Sequence, residues 1–357
     1  MVSLVFFSTA HAQTSYLTLV RSPDAREVAM GESYVAGPLQ SFSIENNPAV
    51  LAQLTGMTAF YSYRDLNWFG SFGDFQLSGA GAMIESPIGN FALLYKRFTL
   101  GEINYSSGLG PEVLSTFNQV DQTYILGYGS RITDVLAIGV NAKLFYRKGD
   151  VLTGSRAIPT SKNSYLFDVG VLYALGGITS VVHVVDQLNV GFSLQNFGSD
   201  FETALPDFFP SQYFVGKLPR FARSGFSYSI QSHPGELYSE LGLLVTAEYR
   251  RYVNPQAYES NRENFWGFGM EISALQIAAI RLGGVIQPYS DIFGDEGQVA
   301  VRYGLGIRLP GALFGLPRSL MATFDYSLVP LNGNIFGVRK TLPVMHIQLK
   351  YDFTQAD

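Results

Sequence analysis

The chain has no cysteine, little charge and no long apolar run. Without cysteine there is neither a disulfide framework nor thiolate chemistry. Charged residues make up 15% of its 357 positions, against about 25% in soluble domains, so a fully solvated surface is poorly supplied. No stretch approaches the roughly 18 apolar residues that a spanning helix needs, although 47% of the residues are hydrophobic. The net charge is −5 with no basic cluster, which argues against nucleic acid as a partner. Histidine is scarce, and His183, His233 and His346 show no metal-ligand spacing. There is no G-x-S-x-G elbow and no phosphate loop; "GFGME" at Gly267 lacks the third glycine of a nucleotide motif. These absences lead us to expect a non-enzymatic protein with no cofactor and no metal.

What is present is alternation. In "MHIQLKYDF", Ile347, Leu349, Tyr351 and Phe353 alternate with His346, Gln348, Lys350 and Asp352, the period of a β-strand with one apolar and one polar face. "QLNVGFSLQNF" around Phe192, "VAVRYGLGIRL" around Tyr303 and "VLAIGVNAKLFYR" around Val140 repeat the pattern, with Phe145 the exception on a polar face. Roughly fourteen such segments can be placed, each near the 9–11 residues of a tilted membrane-crossing strand. Their centres are Tyr61, Gly79, Leu94, Leu126, Val140, Val169, Phe192, Ser227, Val245, Phe268, Ile280, Tyr303, Phe324 and Leu349. Apolar content without apolar runs fits strands that face lipid on one side and a lumen on the other.

The connections alternate as well. "SPIGN", "RITDV" and the break at Ala274-Leu275 are short, whereas Leu100–Val120, Lys148–Asn163, Ser199–Arg220, Tyr252–Glu263, Pro288–Gln298 and Pro330–Pro343 are expected as long loops. Outer-membrane barrels have short periplasmic turns, longer outer loops and an even strand number. The expected fold is therefore all-β: a transmembrane antiparallel β-barrel of about fourteen strands over residues 57–357, preceded by a short helical plug over residues 13–56. Residues 1–12 are expected to be a signal peptide, since an apolar stretch precedes Ala10-His11-Ala12, although a basic start is missing. In the plug, "SPDAREVAMG" predicts a short helix with Ser22 as N-cap, and "NNPAVLAQLTG" a second with Asn47 as cap and Pro48 next. Such turns would cover the periplasmic mouth or enter the lumen.

Three groups of residues are candidates for function. By alternation Lys143, Arg147, Asp168, Glu248, Arg250, Glu271, Arg281, Arg302, Arg308, Asp325, His346 and Lys350 point inward, with Asp325 on the strand between those of Arg302 and His346. These three suggest a polar, proton-sensitive cluster; alternatively, lumenal charges pair with one another and hold the plug. The long loop Ser199–Arg220 carries Phe201, Phe208, Phe209, Tyr213 and Phe214, either a partner-binding surface or interfacial aromatics at the barrel mouth. Asp291, Asp295 and Glu296 form an acidic loop that reads as solvated rather than as a calcium site.

"SPDAREVAMGESYVA" followed by "NNPAVLA" resembles the N-terminal box of the PorV/PorQ family of outer-membrane proteins, and more distantly FadL-type barrels. The shared positions include Asp24, Arg26, Asn46, Asn47 and Pro48, and weaker matches such as "LNVGFSLQNFG" and "FDYSLVP" follow in order down the chain. The resemblance implies a 14-stranded barrel in the bacterial outer membrane. It implies partners in type IX secretion or cell-surface attachment, among them the translocon and cargo C-terminal domains, besides membrane lipid. Its FadL side implies the alternative, a channel for uptake of hydrophobic small molecules. The connection parity makes one direct prediction: a tag inserted at Gly154 or Tyr258 is reachable on intact cells and one at Gly89 is not, and surface labelling at Gly89 would refute the strand assignment.

Overall fold

A computed structural model describes residues 16–67, 75–106, 113–153, 156–176, 184–204, 213–216, 218–232, 241–253, 264–275, 277–286, 299–331 and 340–353; the expected signal segment lies outside them. The alternating segments are strands: β1 (Met57–Asp65), β2 (Gln76–Ile84), β3 (Asn90–Ser106), β4 (Val113–Arg131), β5 (Leu136–Thr153), β6 (Arg156–Gly176) and β7 (Val184–Gly198). After a small hairpin of β8 (Phe201–Ala204) and β9 (Tyr213–Gly216) come β10 (Phe221–Ser232), β11 (Leu241–Tyr252), β12 (Asn264–Ala274), β13 (Ala278–Ile286), β14 (Val299–Pro310), β15 (Leu320–Leu331) and β16 (Lys340–Tyr351). All but β8 and β9 form one closed antiparallel barrel of 14 strands, in which each pairs with its neighbours and β1 closes on β16. All of the expected strand centres fall in these strands. Closure leaves no unpaired edge in lipid, the condition for a sheet to span a membrane.

The facing follows from the period of two. On β16, Ile347 and Leu349 are half exposed while His346 is 1% exposed. On β14, Tyr303, Leu305 and Ile307 are exposed and Arg302 is buried. A belt of outward Val, Ile, Leu and Phe runs round the barrel, bordered by aromatic pairs such as Tyr95–Tyr124, Phe91–Tyr128 and Tyr249–Trp266. Such a belt with aromatic borders suits a bilayer.

Two expectations are corrected. Leu100–Val120 and Lys148–Asn163 are mostly strand, not loop, because β3 to β6 run 17, 19, 18 and 21 residues. A spanning strand needs about 9–11. The outward side chains on these extensions, such as Thr116, Asn118, Lys148, Ser161 and Asn163, are polar and exposed. They stand above the aromatic border in water, where alternation of apolar residues has no cause. Likewise Asp24, not Ser22, caps the first plug helix: its carboxylate accepts from the Arg26 and Glu27 backbone N–H groups, while Ser22 Oγ accepts from the Asp24 N–H.

Residues 16–56 fill the lumen. They form α1 (Leu17–Val20), α2 (Ala25–Ala29) and 3-10 turns at Ser43–Glu45 and Pro48–Gln53, the last capped by Asn47 onto the Ala49 N–H. Every residue from Pro23 to Gly37 is buried. Replacing Leu305 by Arg, on the lipid face of β14, is expected to destabilise the barrel by about 2–4 kcal/mol, whereas Asn163→Arg, above the belt, has little effect. Heat-modifiable mobility and urea unfolding of the two variants check this, and equal effects would reverse the facing.

Candidate functional site

The lumen is where polar and charged side chains meet. The plug backbone is irregular, so most of its carbonyl and N–H groups have no ladder partner and lie away from water. Unpaired, each would be costly. Wall side chains supply the partners. Asn90 donates to the Leu51 and Leu54 carbonyls, Asn141 to Ile44, Ser193 and Gln195 to Asn46, and Ser227 to Ala36. One carboxylate oxygen of Glu248 accepts from both the Tyr34 and Val35 N–H groups at 2.9 Å. Plug Asn47 reaches back, donating to the Val171 carbonyl on β6.

Glycines bring the two surfaces together. The inward positions Gly139, Gly170, Gly191, Gly267, Gly283 and Gly304 touch the plug so closely that a Cβ at any of them would collide with it; at Gly139 it would strike the Pro48 carbonyl and at Gly283 the Ala29–Gly31 backbone. The glycines on the polar faces of these strands are thus a track for the plug.

The charges form separate groups, most of them tying plug to wall, whereas Lys143 and Asp168 join β5 to β6. Arg26 makes a bidentate contact to Glu271, at 2.6 Å for both bonds. Glu271 also pairs with Arg281, which reaches Asp325 at 2.7 Å. Glu32 receives three arginines, Arg302 at 2.9 Å, Arg64 at 3.0 Å and Arg21 at 3.3 Å. Burial alone would raise its carboxyl, but Arg21, Arg302 and Arg64 hold it well below the usual carboxylate range. Lys96 pairs with Glu45 at 2.7 Å, and Lys143 with Asp168 at 2.7 Å. His346 bonds Ser62 on β1 through Nδ1 and Ser41 on the plug through Nε2, with Asp24 at 3.8 Å. Glu27 donates nothing to this balance: burial and then Asp24 push its carboxyl well above the usual range, and Asn46 donates to it.

The structure therefore distributes Arg302, Asp325 and His346 over three hydrogen-bonded groups, all facing the plug. The plug residues Asp24, Arg26, Asn46, Asn47 and Pro48 are all buried at the wall. Asn46 alone contacts Glu27, Ser193, Gln195 and Arg223. Of the loop aromatics, Phe201, Tyr213 and Phe214 lie on the β8–β9 hairpin, where Phe201 pairs with Gly216 and Phe214 with Thr203. Phe208 and Phe209, and the acidic loop at Asp291, Asp295 and Glu296, lie outside the described residues. Among the described residues no cluster of His, Asp and Glu could hold a metal.

Glu32, Arg64, Lys96 and Arg223 were not picked out in the sequence. The first three strands alternate poorly because their inward faces carry apolar Phe60, Leu77, Leu94 and Phe98 against the plug. A lone Lys or Arg at inward parity in an otherwise two-faced apolar strand, as in "LLYKRF", was the available signal.

These features define a class: a closed, plugged β-barrel of 14 strands with a lipid-facing belt, the architecture of outer-membrane barrels. No family model matches the chain and no curated protein matches it by sequence. Solved structures do. The toluene transporter TodX of Pseudomonas putida matches with a TM-score of 0.51 and 9% identity over 91% of this chain and 96% of that one. A TodX variant described as a monoaromatic hydrocarbon channel matches with a TM-score of 0.50 and 10% identity, over 92% of this chain and 98% of that one. A FadL homologue of Pseudomonas aeruginosa gives 0.47 and 13%, over 91% and 96%. At such identity the likeness is one of fold.

Replacing Glu32 by Gln leaves Arg21, Arg64 and Arg302 without their shared counter-charge. Breaking a buried pair from one side costs roughly 3–5 kcal/mol. The variant is expected to unfold at lower urea and to expose Arg21 and Arg26 to trypsin in detergent. An unchanged digestion pattern would show that this group does not hold the plug.

Proposed function

We propose that this chain is an outer-membrane barrel, sealed by its own plug, that binds protein partners on its outer side in protein secretion or surface attachment of the PorV/PorQ kind. The observation that carries this is the wall formed by β3 to β6. It continues beyond the lipid belt by about eight residues, or roughly 25 Å of strand. Neighbouring strands stop lower: β2 ends its pairing with β3 at Thr99, and β7 meets β6 only from Leu166 downward. Among the described residues, the stretch of β6 from Arg156 to Ser164 thus has a ladder partner on β5 and none on β7. A strand edge standing in water can accept an extended segment of another chain through main-chain hydrogen bonds. The expected partners are translocon components or the C-terminal domains of exported cargo, with β8, which begins at Phe201, beside β6. The resemblance of the N-terminal box to PorV and PorQ supports this assignment.

A second function, a channel for hydrophobic small molecules, is favoured by a different feature. At the outer end of the lumen Leu66, Phe75, Leu77, Phe98 and Leu100 enclose Leu17, and Phe145, Leu166 and Leu218 enclose Tyr16 and Leu19. Withdrawal of Leu17 and Leu19 would leave a lining apolar enough for a hydrocarbon, and the fold shared with the toluene transporter gives this weight. The buried ion pairs between plug and wall favour partner binding, since passage would have to break them.

Deleting residues 150–159 shortens the β5–β6 hairpin without touching the membrane part. The barrel should still fold, and proteins co-purified from native membranes should fall at least tenfold, which is about 1.4 kcal/mol. Phe208→Ala with Phe209→Ala should act in the same direction. Partner recovery at the wild-type level with a folded barrel would reject partner binding at this wall. Toluene flux into liposomes carrying the wild-type barrel, lost in Phe98→Asp, would establish the channel instead.

A further inference from the structure

The connection between β14 and β15, residues 311–319, is the longest one described on the short-turn, periplasmic side of the barrel; those at 85–89, 132–135 and 275–277 are shorter. It opens with a 3-10 turn, Gly311–Phe314, closed by Gly315 in the left-handed region at φ 70°. The Leu316 N–H donates to the Gly311 carbonyl at 3.0 Å. Backbone bonds set this shape, not a core of its own. Leu313, Phe314 and Leu316 are 61%, 64% and 50% exposed, and Ala312, Pro317 and Arg318 are exposed as well. From Gly311 to Pro317 there is no polar side chain. Three adjoining large apolar side chains at the tip of a turn call for a cover.

Aromatic side chains gather at the headgroup level of a bilayer, and two ring pairs mark that level on this side. They are Phe91–Tyr128 beside the β2–β3 turn and Tyr351–Phe353 at the end of β16. Both are tied to turns. The Tyr128 hydroxyl donates to the Ile88 carbonyl at 2.6 Å, and the Asp352 N–H, between Tyr351 and Phe353, donates to the Ser319 carbonyl at 2.9 Å. The 311–319 turn therefore sits at the headgroup boundary, just past the lipid-facing Ile307 on β14 and just before Phe324 on β15. Exposed apolar tips recur round the rim. Ile88, 74% exposed, tips the β2–β3 turn, Ile132 the β4–β5 turn and Leu275 the β12–β13 turn. Together with Phe353 they run from β12 through the seam of β16 and β1 to β5. A bound protein or a second copy would cover one arc of this rim. An apolar fringe spread round it fits lipid, which surrounds the barrel and already covers the belt above.

We propose that residues 311–319 form a membrane foot, in which Leu313, Phe314 and Leu316 insert into the phospholipid interface of the inner leaflet and Arg318 lies at the phosphates. The foot carries lipid contact from the strands onto a turn, beyond what spanning requires. Arginine suits its flank, because the aliphatic stem lies along apolar surface while the charge stays among the headgroups. Anchored there, the foot fixes the depth of β14 and β15 in the bilayer. It lies at the opposite rim from the β5–β6 wall and does not depend on either function proposed above.

The chain has no cysteine, so single cysteines carry labels without background. Nitroxides on Leu313→Cys and on Leu316→Cys, in the full chain in phospholipid nanodiscs, are compared with Leu305→Cys on the lipid face and Asn163→Cys above the belt. Collision with oxygen, which concentrates in lipid, is measured against collision with a water-soluble nickel chelate. The ratio at Leu313 and Leu316 is expected several-fold above that at Asn163, towards that at Leu305, and Ile88→Cys should follow. Heat-modifiable mobility confirms that each labelled barrel is folded, and the two foot positions serve as independent probes should one label disturb the turn. A ratio equal to that at Asn163 would mean a wet turn and would overturn the proposal. Weak collision with both reagents would overturn it too, since a second copy would then be the cover.

Discussion

An irregular backbone segment held at membrane depth has to find every hydrogen bond inside the protein. That requirement governs this molecule. Some forty residues of plug sit within a wall whose own backbone is fully engaged in the ladder, so side chains must serve the plug. Asn90, Asn141, Ser193, Gln195, Ser227 and Glu248 are placed where a plug carbonyl or N–H needs them. Charges follow the same logic. Arg26 can be buried because Glu271 offers both oxygens, and Glu271 can be buried because Arg26 and Arg281 approach it from two sides. Close approach is what makes these bonds reachable, and the inward glycines provide it.

Much of the barrel could be read directly from the chain, because lipid imposes a period of two on every strand it touches. Val140, Phe192, Tyr303 and Leu349 are in strands, facing lipid, for that reason. The reading failed where the cause is missing. Above Tyr124, Tyr146 and Tyr165 the outward face is wet, so β3 to β6 continue as strands without an apolar alternation and look like loops. At β1 to β3 both faces are apolar, one for lipid and one for the plug, and alternation is again blurred.

The inward direction of Arg302, Asp325 and His346 was also legible, but their partners were not. Arg302 bonds Glu32 and Arg26 bonds Glu271, pairs separated by 270 and 245 positions. Parity fixes the side a residue faces, yet nothing in a single sequence fixes which turn of the plug will lie opposite. The helix start shows the same limit on a small scale: Ser22 and Asp24 are both good caps, and the choice of Asp24 depends on how α2 packs against β13 to β16.

The seam between β1 and β16 joins the first strand of the barrel to the last. His346, on the last strand, bonds Ser62 on the first and Ser41 of the plug. The barrel therefore closes only where β16 pairs with β1, and the same pairing sets His346 against the plug. The last stave is nailed to the contents as well as to its neighbour.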